Sequence, residues 1–411
     1  MKRALFILAA LVAGLLLGMV TGDASPLLKD VADVVGTMWL NGLRMTVVPL
    51  VVALLVTGIM QTADAASTGR LATRAIVTMI VILWSVTTMA ALLTPALIAL
   101  IPMPQGAADA LRSALGTIAP SEAPPPFGEF LKAMIPTNPI NAAANDAILP
   151  LMVFTLAFAF AATQLATEKR QTIKQFFEAV AEAMVKVIGW VLVLAPLGVF
   201  ALGVTLGITA GAAAFGALAH YVLIVTTVGT VVFLLAYLVA IFGARFRFSD
   251  FVRAAIPAQA VAISTQSSLA SLPTMVEGAK NLGVGARTTD IVLPIAVAIF
   301  RVTGPAMNLA VALYVAHLMG VKLGPQEIAI GVAVAAITTL GSVSLPGSIS
   351  FIASVAPICL AMGVPIEPLG LLIAIETFPD IMRTLGNVTM DIAVTGTIGR
   401  AEGDVESGGT A

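Results

Sequence analysis

Two stretches, "AVAISTQSSLASLPTM" (residues 260–275) and "AITTLGSVSLPGSISFI" (residues 336–352), are interrupted in the same way: each breaks an apolar run with Ser, Thr and Gly around a Ser-Leu-Pro triplet. The triplets are Ser271-Leu272-Pro273 and Ser344-Leu345-Pro346. Inside a bilayer, irregular backbone persists only where protein or water satisfies its N–H and C=O groups, so both stretches read as tips of re-entrant hairpins. Ser ahead of Leu-Pro is a helix start, because the hydroxyl can cap and Pro lacks an N–H that the first turn would orphan. Two such starts directed at one mid-membrane point would aim positive helix ends at an anion, the arrangement of a transporter whose halves carry related broken helices. For either stretch alone, small residues that merely let helices approach are an equally good account. The repetition favours tips.

Working outward, "PDIMRTLGNVTMD" (residues 379–391) follows the second stretch and carries Asp380, Arg383, Asn387 and Asp391. Spacings of three, four and four stack these side chains on one helix face, while Ile381, Met382, Leu385 and Val388 point elsewhere. Each charge costs about 2.5–3.5 kcal/mol at a membrane centre on insertion scales, so the face is expected to line a protein-walled chamber. One guanidinium, two carboxylates and nearby hydroxyl donors make a receptor for a small anion or zwitterion. The competing account is an Asp380–Arg383 pair that only locks helices together.

The chain as a whole suits this setting. Of its 411 residues 59% are hydrophobic and 10% charged, against about 25% charged in soluble domains, and its mean hydropathy is +1.03. It reads as an all-α polytopic membrane protein, with apolar runs over 4–20, 47–59, 75–101, 185–206 and 215–242. The opening resembles a secretory signal but is taken as the first crossing. A single Cys, Cys359, rules out an internal disulfide framework, and no basic tract points to nucleic acid. Clustering of Lys and Arg at both ends and in alternate connections places both termini in the cytoplasm of a cell (inner) membrane. Arg44 and Lys186 are expected to snorkel or to pair across a subunit interface. His220 and His317 lack metal-ligand spacing.

These residues carry a pattern that resembles the dicarboxylate/amino acid:cation symporter family, the glutamate and aspartate transporters. NGLRMTVVPLVVALLVTGI is similar to the family's second helix, PTNPINAAANDAILP to its fourth-helix entry and EAMVKVIGWVLVLAPLGVFAL to its fifth helix. QSSLASLP and GSVSLPG resemble the two hairpin tips, and DIMRTLGNVTMD the eighth-helix signature. The resemblance implies eight transmembrane helices plus two re-entrant hairpins, built as inverted repeats, working as an elevator and assembled as a homotrimer. It implies scaffold helices 1–2 over 1–67, transport-domain helix 3 over 68–102, and an external loop with scaffold helices 4–5 over 103–210. The rest of the transport domain would span 211–400, with hairpins over 252–284 and 327–362, leaving 401–411 as a disordered cytoplasmic tail.

Carried over by position, the resemblance implies that Arg383 holds a substrate carboxylate with its planar fork, Asp380 an amino group, and Asn387 the main-chain end, with Thr384 assisting. Ser267 and Ser268 in the first tip and the Leu345 backbone in the second would complete the substrate site. Asp391 and Asn387 would join a cation site, together with Thr87, Thr88 and positions Ile299, Thr339, Leu340 and Ser342.

The seventh helix departs from the family. Sodium-coupled relatives read Asn-Met-Asp-Gly-Thr where this chain has Arg301-Val302-Thr303-Gly304-Pro305. Thr303 supplies no anionic oxygen, and a fixed guanidinium repels a hard cation that needs several oxygen ligands. Arg301 is therefore read as a substitute for bound sodium, neutralising Asp391 or Asp380. Transport would be sodium-independent or coupled to fewer ions, with H+ as the other coupling ion and Glu376 as a group that could take a proton. No cofactor is expected. The reading is a secondary transporter of acidic amino acids or related dicarboxylates. The alternatives are a proton-coupled or uncoupled carrier of a neutral amino acid or other organic acid, and an anion channel. An intramembrane hydrolase using Ser267 or Ser268 lacks a general base, so no enzyme is expected.

Overall fold

Without water to pair backbone groups, apolar runs of this length close their hydrogen bonds within helices. The computed structural model describes residues 2–22, 25–67, 69–103, 106, 128, 132–340 and 347–405, and these are helical apart from connections and one isolated bridge, Val284 to Val405. In chain order the helices are α1 (Lys2–Thr21), α2 (Pro26–Arg44), α3 (Val47–Ala66), α4 (Arg70–Leu100), α5 (Pro139–Ala144) and α6 (Ile148–Thr163). They continue as α7 (Thr167–Val193), α8 (Ala195–Ala210), α9 (Ala213–Leu238, prolonged by a π turn Val239–Gly243), α10 (Phe248–Thr265), α11 (Ser268–Asn281) and α12 (Ala286–Ile299). The last are α13 (Thr303–Met319), α14 (Pro325–Leu340), α15 (Gly347–Ala361), α16 (Glu367–Leu372) and α17 (Thr377–Glu402).

Among the described residues, 26–66, 70–100, 213–243 and 286–319 are helical stretches long and apolar enough to cross a membrane. The pair α7–α8, bent by 57° at Leu194, makes a fifth. Shorter apolar helices lie at Leu5–Thr21, Ile148–Thr163, Pro325–Leu340 and Phe351–Ala361.

Two packed regions organise the molecule. In the first, α1 runs along α8, which also packs on α2. The backbones meet through Gly14 and Gly18 on α1 and Gly203 and Gly207 on α8. A Cβ at Gly14 would collide with the Phe200 carbonyl, and one at Gly207 with the Leu15 carbonyl. This is close approach by small residues at Gly-xxx-Gly spacing, which the reading of the sequence had passed over. In the second region, α17 is enclosed by α9, α10, α11, α12 and α13. That enclosure keeps its charged face away from lipid.

Helices α10 and α11 pack against one another as a hairpin. The chain reverses at Gln266, in the left-handed region at φ 53°, and Ser267 follows in extended backbone. The Ser267 hydroxyl caps α11 by accepting from the Ala270 N–H at 3.2 Å. The helix thus begins one turn before the Ser-Leu-Pro triplet, correcting the expected start: Ser271 lies inside the first turn and donates to the Ser267 carbonyl at 3.0 Å. Helices α14 and α15 also pack together. The tip between them, including Ser342, the Ser344-Leu345-Pro346 triplet and the Leu345 position assigned to substrate, lies outside the described residues.

The expected tail from residue 401 starts too early. Ala401 and Glu402 complete α17, and Gly403 then turns the chain in the left-handed region. The Asp404 carboxylate accepts from the Thr288 N–H (3.1 Å) and hydroxyl (2.6 Å), and its carbonyl accepts from the Gly285 N–H at 2.8 Å. Glu402 pairs with Arg74 of α4 at 2.7 Å. The carboxylate satisfies donors that the start of α12 would otherwise orphan, so the segment docks through Val405. Residues 406–411 lie outside the described residues. Arg44, expected to snorkel or to pair across a subunit interface, pairs within the chain with Glu367 of α16 at 2.8 Å.

Candidate functional site

The polar face of α17 is buried along its whole length: Asp380, Arg383, Thr384, Asn387 and Asp391 are all buried, as is Glu376 just ahead of the helix. Buried charges persist only when countercharges and hydrogen bonds replace water. Arg383 has two countercharges. Its Nη1 donates to Asp380 Oδ1 at 2.9 Å, and its Nη2 lies 2.6 Å from Glu376 Oε1. The second approach is out of line for a hydrogen bond and is a contact of charges. Arg383 Nε has no partner. Glu376 is held from its other oxygen by the Tyr221 hydroxyl of α9, which donates at 2.7 Å.

The break between α12 and α13 lies beside this cluster. The first donors of α13 are accounted for one by one. The Thr303 N–H donates to Asn387 Oδ1 at 2.9 Å, the Gly304 N–H to the Arg301 carbonyl at 2.8 Å, and Pro305 has none to lose. The Thr303 hydroxyl proton lies between the Arg383 carbonyl (2.6 Å) and Asn387 Oδ1 (2.7 Å). Gly386 makes room for the Thr303 methyl, which a Cβ there would strike. Thr303, expected only as a lost ion ligand, is the pin that fixes the broken helix to α17.

Arg301 occupies the break and interacts electrostatically with Asp380, Arg383 and Asp391. Asp391 is 1% exposed, neither of its carboxylate oxygens has a hydrogen-bond partner, and Arg301 is the charge it faces. Arg301 and Arg383 together line a cavity of about 20 Å³ with Gly304, Asn308, Thr339, Phe351 and Ser354, room for one or two water molecules. None of the three carboxylates lines it.

The other assigned residues divide. Thr384 donates to the Asp380 carbonyl at 3.0 Å and braces that turn. Ser268 is buried at the first tip, whose Gln266 amide reaches toward the Thr377 carbonyl at 3.5 Å; Ser267 is committed to its cap. Thr339 lines the cavity, Leu340 ends α14 and Ile299 ends α12. Thr87 is buried, but Thr88 is exposed and donates to the Trp84 carbonyl at 2.8 Å. His220 is satisfied by Tyr314 (3.1 Å) and the Ile101 carbonyl (2.6 Å). Reading the sequence missed Tyr221, Asn308, Phe351 and Ser354. For Tyr221 the available signal was a phenol in the middle of an apolar helix, where its hydroxyl needs a partner.

Comparison with known proteins matches residues 4–401 to the family described as the sodium:dicarboxylate symporter family. The chain is 28% identical to the proton/sodium-glutamate symport protein of Bacillus subtilis, over 95% of this chain and 91% of that protein. It is 27% identical to the proton/glutamate-aspartate symporter of Escherichia coli, over 93% and 89% of the two. With C4-dicarboxylate transport protein 1 of Pseudomonas aeruginosa it shares 25% identity over 98% and 90%. A match over nearly the whole chain, in a helical molecule that buries a charged face at its centre, makes this an integral membrane transporter and not an enzyme: the chain belongs to the sodium:dicarboxylate symporter family.

Proposed function

We propose that the protein is a secondary active transporter of small acids with two anionic groups, acidic amino acids or related dicarboxylates. Its polar centre is the substrate site, and Arg301 stands in place of a coupling cation. The observation that carries this reading is the pair of guanidinium groups, Arg301 and Arg383, lining one cavity that none of the three buried carboxylates lines. In relatives whose names include sodium or proton, positive charge arrives with the acid. Here a fixed charge faces Asp391 from the chain itself. Sodium dependence is accordingly reduced or absent. A proton remains a second coupling ion, favoured by Glu376, a buried carboxylate shared between Tyr221 and Arg383.

In this reading α10–α11 and α14–α15 are the re-entrant hairpins. They move with α4, α9, α12–α13 and α17 as the transport domain, over 68–102 and 211–400. The elements of 1–67 and 103–210 form the scaffold of a homotrimer in the cell membrane, and both termini are cytoplasmic. Purified protein in liposomes preloaded with unlabelled acid should take up labelled succinate or L-aspartate by saturable counterflow, and Arg383→Ala should abolish it. Flux that never saturates and carries current without exchange would instead identify an anion channel. Saturable exchange of a neutral amino acid alone would move the assignment to that substrate class.

A further inference from the structure

We propose that Arg44 and Leu40 of α2 and Glu367 and Gly370 of α16 form a clasp. It holds α16, and with it the site helix α17, in the arrangement described here, and it must open for the transport domain to slide along the scaffold. The proposal rests on the carrier reading and its two-body division given above, and it adds the contact that controls their movement.

The ion pairs sort by body. Arg170 and Lys174 meet Asp64 inside the scaffold. Lys280–Asp290, Arg74–Glu402 and the two pairs of Arg383 lie among the elements of the transport domain. Arg44–Glu367 crosses from one body to the other, with Arg44 Nη1 donating to Glu367 Oε1 at 2.8 Å. Each side chain is 40% exposed. A pair so open to water biases an equilibrium by about fivefold at most, which suits a bond that has to break and reform.

A second contact lies beside the first. Leu40 is one turn before Arg44 and Gly370 one turn after Glu367, so the two contacts are successive rungs between facing helix sides. Gly370 carries no side chain, and Leu40 takes the space: a Cβ there would strike the Leu40 side chain and come within 3.5 Å of Leu202 on α8. Around these rungs the surfaces do not close. A cavity of about 190 Å³ separates Leu40, Asn41 and Arg44 from Ile352 of α15 and from Ile366 and Glu367 at the start of α16. Permanently packed interiors hold few voids larger than one water molecule. A joint bonded at two rungs and empty next to them is suited to part.

Holding α16 also holds the centre. The Ile373, Ala374 and Ile375 N–H groups donate back to the Leu369, Leu371 and Leu372 carbonyls at 3.0, 3.2 and 3.0 Å, and the Asp380 N–H donates to the Glu376 carbonyl at 2.9 Å. This hydrogen-bonded turn joins α16 to the two carboxylates that face Arg383.

The test is a reversible disulfide in the full chain, Leu40→Cys with Gly370→Cys, in liposomes preloaded with unlabelled succinate. The one native cysteine, Cys359, is buried. Oxidation should cut counterflow of labelled succinate at least about tenfold, because it blocks a conformational step of the cycle. Dithiothreitol should restore the flux, Leu40→Cys and Gly370→Cys alone should be indifferent to oxidant, and the oxidised pair should still bind succinate by calorimetry. Adding Arg44→Glu, which sets two carboxylates face to face, should slow disulfide formation about two- to fivefold, and adding Glu367→Arg as well should restore it. A disulfide that never forms, cross-linked protein that transports as fast as reduced protein, or a formation rate indifferent to charge reversal would overturn the clasp and leave the carrier reading standing. Unaltered protein that shows no saturable exchange of succinate or L-aspartate would overturn both.

Discussion

The wall formed by α1 and α8 and the centre formed by α17 and the break before α13 solve opposite problems. Along the wall the glycines Gly14, Gly18, Gly203 and Gly207 let two backbones touch, and among the described side chains no charge is buried there. At the centre, Arg301 and Arg383 face Glu376, Asp380 and Asp391 with water largely excluded, and several polar atoms lack partners. Packing is tight at the wall, and hydrogen bonding is incomplete at the centre. In a membrane, where helices gain little from hiding apolar surface, close contact supplies stability and unmatched polar groups mark function.

The sharpest way to break this contrast is Arg383→Ala. It should abolish saturable uptake and also lower stability by about 3–5 kcal/mol, because Glu376 and Asp380 are left as uncompensated buried charges. Uptake assays and thermal unfolding of the same preparation check both. Normal uptake would make the centre a structural lock only. At the wall, Gly14→Leu or Gly207→Leu should cost about 1–3 kcal/mol or more through overpacking against backbone. Protein that still folds should keep its ratio of succinate to L-aspartate affinity. A changed ratio would mean that the wall shapes the site.

Smaller effects sharpen the picture. Tyr221→Phe removes the hydroxyl held by Glu376 and should cost about 1.5–3 kcal/mol, as hydrogen bonds to charged groups do. Its signature should be an altered pH profile of uptake, read between pH 5 and pH 9 against unaltered protein, with assembly unchanged by size-exclusion chromatography. Asp404→Ala at the docked end of the chain should lower the unfolding midpoint by the equivalent of about 1 kcal/mol, the usual worth of a helix cap. It should leave substrate affinity untouched.

The centre was the more legible region because buried charge is too costly to occur without cause. Asp380, Arg383, Asn387 and Asp391 stood out against apolar neighbours, and helical spacing alone put them on one face. Arg301 was legible as a departure from its family. Its carboxylate neighbours Asp380 and Asp391 were named with it through the family resemblance, and Arg301 interacts electrostatically with both. Tyr221 was hidden: a lone phenol in an apolar run reads equally well as packing. The hairpin turn was misplaced by one turn because Ser267, Ser268 and Ser271 are equivalent caps on paper, and no glycine announces the left-handed Gln266. The glycines of the wall were visible as letters at the right spacing, yet among 35 glycines that spacing draws attention only once α1 and α8 are known to touch.

The claim beneath all of this is that positive charge needed to move an acid through the membrane is built into the chain at Arg301. The most direct measurement is uptake of labelled succinate and L-aspartate into proteoliposomes, with external sodium replaced mole for mole by choline. The account predicts that the transported acid accumulates to the same level, within about twofold, in either salt. Accumulation that needs an inward sodium gradient and disappears in choline would contradict it.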